Sequence, residues 1–467
     1  MERVNDKGRG VRRKRNLALF ASLAVVATTI VAGGISSVSG ASSSSKTISV
    51  MYWTNFDNPG TNATPDLIKA AAVKLKAQNP GATVVLEPIT TDSESTYYAK
   101  IDLAQRSAAT APDVVMEDSF LIGSDASAGF IKPIPQVTSW SGWSHFPAAM
   151  QKIATYGGKI YGVMNSSDVQ LAYYNTKLFK KAGLPVPWQP HSFADIIAAS
   201  KALAKADPGI VPTWLYTGTP LGEASSFRGF EVFLDGTHDR LYNSSTKKWE
   251  ISGPGFTATW NFLASMRKYE EPVADWSNPS ASETVNLNMM PANKVGIVFD
   301  GSWVSTAYIP HSYKPWPAFA TTFKEAQIPT DGLGGYTNQS GGFAWSVSTH
   351  ASNTKLAVQL IEDMSSAPNI ASFNAKNGNI PPRSDAVTQP QWTAISKLDP
   401  VLTFATSQLA YTNYRPNLPL YPQISTEIAA LTGDISSGTM TGSQAEKAFA
   451  AKVTQIVGKK NVEAMTK

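Results

Sequence analysis

The chain has 467 residues, 42% of them hydrophobic and 16% charged, a composition that excludes a disordered protein. Its length suits about two or three packed units rather than one core. The formal charge of +5 does not mark a nucleic-acid binder: residues 1–41 hold seven Lys/Arg and two acids, and the remainder carries 33 of each sign, so the body has little reason to attract a polyanion.

The elements follow in chain order. A basic stretch, Arg12 to Arg15, precedes an uncharged run from Leu17 to Ile35 and small residues from Ser36 to Ala41. That order predicts an export signal over residues 1–41, cleaved near Gly40 or Ala41. The run of about 19 residues is also long enough for an uncleaved anchor. Residues 42–46 read as a Ser-rich tether. Thr47 to Trp53 alternates as a strand. Thr64-Pro65-Asp66 reads as a helix start, with Thr64 as the capping hydroxyl. Leu67, Ala71 and Leu75 continue its apolar face, and Asn79-Pro80-Gly81 stops it. Thr83 to Leu86 predicts a second strand, Ser93 to Ala109 a second helix, and Pro112 to Met116 a third strand. This is β-α-β-α-β, whose right-handed crossovers give a parallel sheet covered by helices.

Later segments keep that grammar. Ser192 caps a predicted helix running to about Ala206, Val295 to Phe299 is a short buried strand, and Phe343 to Ser348 alternates as a strand. Ser352 to Ser365 predicts a helix, and Tyr421 to Thr466 is mostly helical. No repeat of 20–50 residues occurs, which argues against a solenoid or propeller. Alternating strands and helices over this length predict two α/β lobes.

Several segments, in order, resemble the sugar-type bacterial extracellular solute-binding proteins of ABC importers, the superfamily of the maltose-binding protein. They are Trp53-X-Asn55-X-Asp57, "APDVVMED" (Ala111–Asp118), "AGFIKPI" (Ala128–Ile134) and "YGGKIYGVMNSSDVQLAYYNTKLFKKAGLPVP" (Tyr156–Pro187). "NKVGIVFDGSW" (Asn293–Trp303), "GGFAWSVSTHASNTKLAVQLIEDM" (Gly341–Met364) and "NGNIPPR" (Asn377–Arg383) complete the set. The resemblance covers Lys46 to Lys467. It implies a two-lobed periplasmic-binding-protein fold, each lobe a mostly parallel sheet flanked by helices, with the ligand in the cleft between them. The chain would cross between lobes near Asp168, Gly342 and Pro381. The implied lobes are 47–166 plus 343–382 and 167–342 plus 383–467. Relatives often carry a lipidated cysteine after the signal. This chain has no cysteine, which also rules out disulfides, thiolate metal ligands and thiol nucleophiles.

A sugar cleft needs flat aromatic faces for C–H surfaces and paired acceptors or donors for hydroxyls. All 12 tryptophans lie after residue 41. Trp53, Asn55 and Asp57 end the first strand and Asp118 the third, where open α/β sheets place ligands. The resemblance adds Asp168 at the first crossing and Trp303 as a stacking aromatic. The glycine and serine before Trp303 would let backbone approach the ligand. Gly342 offers a hinge or backbone contact, with Phe343 and Trp345 following on one strand face, either ligand-facing or core. Arg383, held by Pro381-Pro382, would donate a forked hydrogen bond or make a surface ion pair. Glu94 and Tyr421 are weaker candidates.

Nothing marks a catalytic site. The five histidines lack metal-ligand spacing, and neither a phosphate-binding P-loop nor a G-x-S-x-G turn occurs. The expectation is therefore no catalysis, no cofactor and no metal. The acids Asp57, Asp118 and Asp168 should stay ionised and accept hydroxyls. The expected partners are a small solute and the importer's permease, with the protein a monomer outside the cytoplasm. A secreted glycan-cleaving enzyme, or a surface carbohydrate sensor or adhesin, would share the aromatic and acidic composition. If residues 1–41 are an export signal, mass spectrometry of protein from its native host should find the chain starting near Ala41. Full-length chain in the membrane fraction would make Leu17–Ile35 an anchor.

Overall fold

The computed structural model describes residues 46–56, 58–91, 93–271 and 284–464. The export signal, most of the tether, Asp57 and the last three residues lie outside the described residues. The chain opens with β1 (Thr47–Trp53), α1 (Ala63–Gln78), β2 (Thr83–Ile89), α2 (Glu94–Gln105) and β3 (Val114–Asp118). β1 pairs in parallel with both β2 and β3, as the βαβ grammar requires. Ser93 caps α2, its hydroxyl accepting from the Thr96 N–H. Thr64 does not cap α1. The helix starts one residue earlier behind Asn62, whose left-handed backbone (φ 47°) makes the turn, and Thr64 is buried inside the first turn.

β4 (Gly162–Met164) joins this sheet, and the chain then passes into β5 (Gln170–Asn175) of a second one. α3 (Phe193–Ala206), β6 (Val211–Trp214), α4 (Pro254–Met266), β7 (Val295–Gly301) and β8 (Phe323–Ala326) follow. The second sheet runs β8-β5-β7-β6. β9 (Tyr336–Ser340) leads through Gly341-Gly342 to β10 (Phe343–Ser348), which returns to the first sheet antiparallel to β3. The tail adds α5 (Thr354–Met364), α6 (Ala367–Asn377), α7 (Pro390–Leu398), α8 (Pro400–Gln408), β11 (Thr412–Tyr414), α9 (Tyr421–Ser437) and α10 (Gly442–Val457). Both sheets are mixed: parallel where a helix crosses over, antiparallel where a crossing strand enters. α4 and α10 pack together through Trp260, 4.1 Å from the Phe230 ring and 6.0 Å from Phe449.

The passes between sheets are tied together. Ser167 and Ile380 exchange both backbone hydrogen bonds (2.8 and 2.7 Å), and the Asn165 N–H donates to the Phe343 carbonyl (2.8 Å). Gly342 makes the closest approach. Its φ is +108°, and a Cβ there would sit 2.1 Å from the Ser166 carbonyl oxygen. Gly332 has a φ of +76° with open space around it, so it isolates the backbone strain from the clash. Both Gly→Ala changes should destabilise, Gly332→Ala by about 1 kcal/mol and Gly342→Ala by clearly more. Urea unfolding of the two variants checks the order; equal losses would mean that Ser166 yields freely.

Candidate ligand-binding cleft

A cavity of about 410 Å³ opens at the carboxyl ends of β1 and β3, bounded on its far side by residues of the second sheet and its helices. The first sheet supplies an aromatic wall. Trp53 leaves β1 with its ring stacked on Tyr97 (5.7 Å between centroids, 21° between planes), and its indole N–H donates to the Thr91 carbonyl (2.8 Å). Phe343 sits 6.4 Å from Trp53 and edge-on to Phe56 at 4.8 Å. These contacts fix the rings before any ligand arrives, so little rotamer freedom is lost on binding.

Opposite lies Trp303, half-buried just after β7. One of its faces is taken by the Arg228 guanidinium, 4.6 Å from the ring centroid, which also lies 4.8 Å from Tyr216. Gly301 does not present open backbone to the cleft as expected. The Trp303 ring folds over it, and a Cβ at Gly301 would come within 2.0 Å of that ring.

Two arginines organise the polar lining. Arg415, after β11, is 2.7 Å from Asp118 at the end of β3 and 2.9 Å from Glu223 in the one-turn helix Glu223–Ser226. Phe120 and Phe227 flank its guanidinium at 4.9 and 4.5 Å. Tyr98 donates to the second Asp118 oxygen (2.8 Å). Arg228 lies 3.5 Å from Asp300 and 3.7 Å from Glu94, and Asp300 also accepts from Tyr216 and Asn286 (2.8 Å each). Each buried cation is therefore matched by two carboxylates, the arrangement that makes buried charge tolerable.

Burial raises several of these acids. Asp168, at the first crossing, is pushed up to about 6 by desolvation, which Arg415 and Arg228 partly offset. Its carboxylate accepts from the Gln170 side chain (3.3 Å). Burial likewise raises Glu94, against the pull of Arg228. Desolvation raises Glu223, against the pull of Arg415. Behind the cleft it lifts Glu231 to about 8, and the Tyr421 hydroxyl lies within hydrogen-bond reach of both acids.

Trp53, Asn55, Asp118, Asp168, Trp303, Gly342 and Phe343 thus come together on one cavity, as does Glu94. Asp57 lies outside the described residues. Two expected site residues go elsewhere. Trp345 is fully buried in the first sheet, opposite Met116, and so belongs to the core. Arg383 forms a forked pair with Asp385 (2.6 Å on each arm) beneath Trp140 and Phe146, and donates to the Ser365 carbonyl. It is a buried structural arginine that does not line the cleft. Tyr421 supports the site from behind. Residues missed by sequence reasoning are Glu223, Phe227, Arg228, Asn286 and Arg415. The available signal was a pair of charges, Arg228 and Glu231, inside the otherwise apolar run Phe227–Leu234.

The model of the bacterial extracellular solute-binding protein family matches residues 70–400. The chain belongs to that family. Among solved structures it is similar to an ABC transporter solute-binding protein from Thermotoga lettingae bound with α-D-tagatose (22% identity, 89% of this chain and 100% of that one, TM-score 0.70). It is also similar to maltose-bound MalE3 of T. maritima (17%, 88% and 100%, 0.71) and to UgpB of Mycobacterium tuberculosis in complex with glycerophosphocholine (17%, 88% and 98%, 0.70). These likenesses give the two-lobed α/β binding-protein fold. Among the described residues no helix is long and apolar enough to cross a membrane, and no cluster of three or more His, Asp or Glu is placed to hold a metal ion.

Glu231 gives the buried acids a readout. Its ordinary value is 4.5, and in the fold it is pushed up to about 8, by burial first. Between those values the folded protein holds a proton that the unfolded chain releases. This contribution to stability is fully present below 4.5 and is lost as pH rises through about 8. Urea unfolding of wild type and Glu231→Gln at several pH values should show the variant gaining on wild type as pH rises across that window. A constant difference would mean Glu231 is ionised throughout.

Proposed function

We propose that the protein captures a sugar or short oligosaccharide between its two lobes and hands it to the permease of an ABC importer, leaving the ligand chemically unchanged. The lobes in this reading are 47–166 plus 343–382 and 167–342 plus 383–467, and the ligand contacts come from Trp53, Asn55, Asp118, Asp168, Trp303, Gly342 and Phe343. The protein works outside the cytoplasm, as its family does.

One observation carries the reading: aromatic rings and carboxylates at the strand ends of the first sheet and beside the strands of the second face the same cavity. Rings cover the apolar faces of a sugar, and carboxylates accept its hydroxyls. The cavity lies within the ~300–1,000 Å³ usual for small-molecule sites. Tagatose and maltose occupy two of the similar structures. A phosphate-bearing ligand, as in UgpB, is less well served, because Arg228 and Arg415 are already matched by internal acids.

Binding without turnover follows from how the acids are held. A glycosidase needs one protonated acid poised to donate and a second carboxylate opposite it. Here Asp118 is held by Arg415 and Tyr98, and the acids Glu94 and Glu223, which burial raises, are tied to Arg228 and Arg415 rather than free to donate.

The test is a thermal-shift panel of mono-, di- and trisaccharides, polyols and phosphorylated polyols on the mature protein. A ligand at 100 times its Kd should add about 2.7 kcal/mol of stability. Long incubation with the best oligosaccharide should return it intact by chromatography; catalytic cleavage would overturn the receptor reading. With that ligand, Trp303→Ala should weaken binding by about 1–3 kcal/mol while circular dichroism stays native. Unfolding, or unchanged affinity, would make Trp303 a core residue.

A further inference from the structure

A second cavity, of about 340 Å³, adjoins the cleft, and Asn58 and Tyr313 line both. Asn58 is a fixed partition: its N–H donates to the Asn377 side-chain oxygen (3.2 Å) and its amide group to the Lys376 carbonyl (2.9 Å). Beyond this partition the walls change character. Ile309, Pro310, Ala394, Ile395 and Leu398 replace the carboxylates and arginines of the cleft. Leu398, at the end of α7, leaves 54% of its surface in water.

Several polar side chains around the second cavity are engaged within the protein, while His311, Ser372 and Gln391 stand at other points of its wall. The Thr61 hydroxyl donates to the Asn58 carbonyl (2.7 Å), Thr306 to Asp399 (3.2 Å) and Ser312 to the Ala307 carbonyl. The Lys376 ammonium holds Asp66 at 2.7 Å. A sugar ring placed against α7 would set hydroxyls on Ile395 and Leu398, which offer no hydrogen-bond partner, and this costs free energy. An apolar group would remove exposed apolar surface from water instead.

We propose that this cavity is the outer subsite of the cleft and that the solute is a glycoside with an apolar aglycone. The sugar lies against Trp53 and Trp303; the aglycone passes Asn58 and Tyr313 and rests on α7. The inference rests on the sugar reading above.

Matched methyl and para-nitrophenyl glycosides of glucose, galactose, mannose and maltose test it by calorimetric titration of the mature protein. Maltotriose against maltose measures the gain from one further sugar ring. The para-nitrophenyl member of whichever pair binds should be about tenfold tighter, which needs only about 60 Å² of apolar surface removed from water. Ala394 is exposed on α7, so Ala394→Trp fills the cavity without disturbing the core. It should bring the ratio of the two affinities to near one. Equal affinities in wild type, or a ratio that survives Ala394→Trp, overturn the subsite. An equal gain from maltotriose overturns the aglycone and leaves a sugar subsite. If no sugar or glycoside binds at all, the sugar reading fails and takes this inference with it.

Discussion

Arg415 reaches into the protein between two carboxylates that arrive from different parts of the fold, and the cleft depends on it. Asp118 ends a strand of the first sheet; Glu223 belongs to a short helix packed on α9. Without the guanidinium, two buried carboxylates would face each other across the cleft floor, a loss of about 3–5 kcal/mol for such a broken arrangement. The backbone is shaped around this cation. A Cβ on Gly341 would stand 2.1 Å from its terminal nitrogen, so Gly341 and Gly342 answer to different constraints: one clears a side chain, the other a carbonyl.

The same internal pairing sets what the cleft can offer a ligand. Arg228 and Arg415 are each spent on two acids, so acids outnumber cations around the cleft. In a low-dielectric space such pre-oriented groups act strongly on hydroxyls and disfavour an anionic ligand. Glu231 and Asp235 extend the network behind the floor through the Gln339 side-chain amide, which donates to both at 3.2 and 3.3 Å.

Much of the fold was legible in the sequence because the apolar period changes cleanly from strand to helix. β1 and β10 begin and end where the alternation does, and Ser192 caps its helix as read. Thr64 misled because a left-handed asparagine before it turns the chain without a side-chain cap. Part of the site was equally legible. Trp53 and Asp118 stand at strand ends, where position alone argues for exposure to a ligand. Arg228, Glu223 and Arg415 reach the cleft from short helices and a loop, where no period marks a direction, and only the folded topology joins them. Trp345 and Arg383 carried the right chemistry in the wrong surroundings: one lies on a strand buried on both faces, the other beside an aspartate two residues away.

The placement of β10 has a consequence for how the chain folds. In the finished first sheet this strand lies directly against β3, between it and the short strand Ile131–Lys132. β3 is buried along its whole length. A nascent chain therefore carries an apolar, unpaired β3 edge until Phe343 emerges, a row of open hydrogen-bonding groups of the kind that recruits foreign strands. Helices α1 and α2 can form early on local contacts, but the sheet they cover closes only through a pairing distant in sequence, and such pairings form slowly. The first half of the polypeptide is thus a client for a chaperone rather than a self-sufficient folding unit.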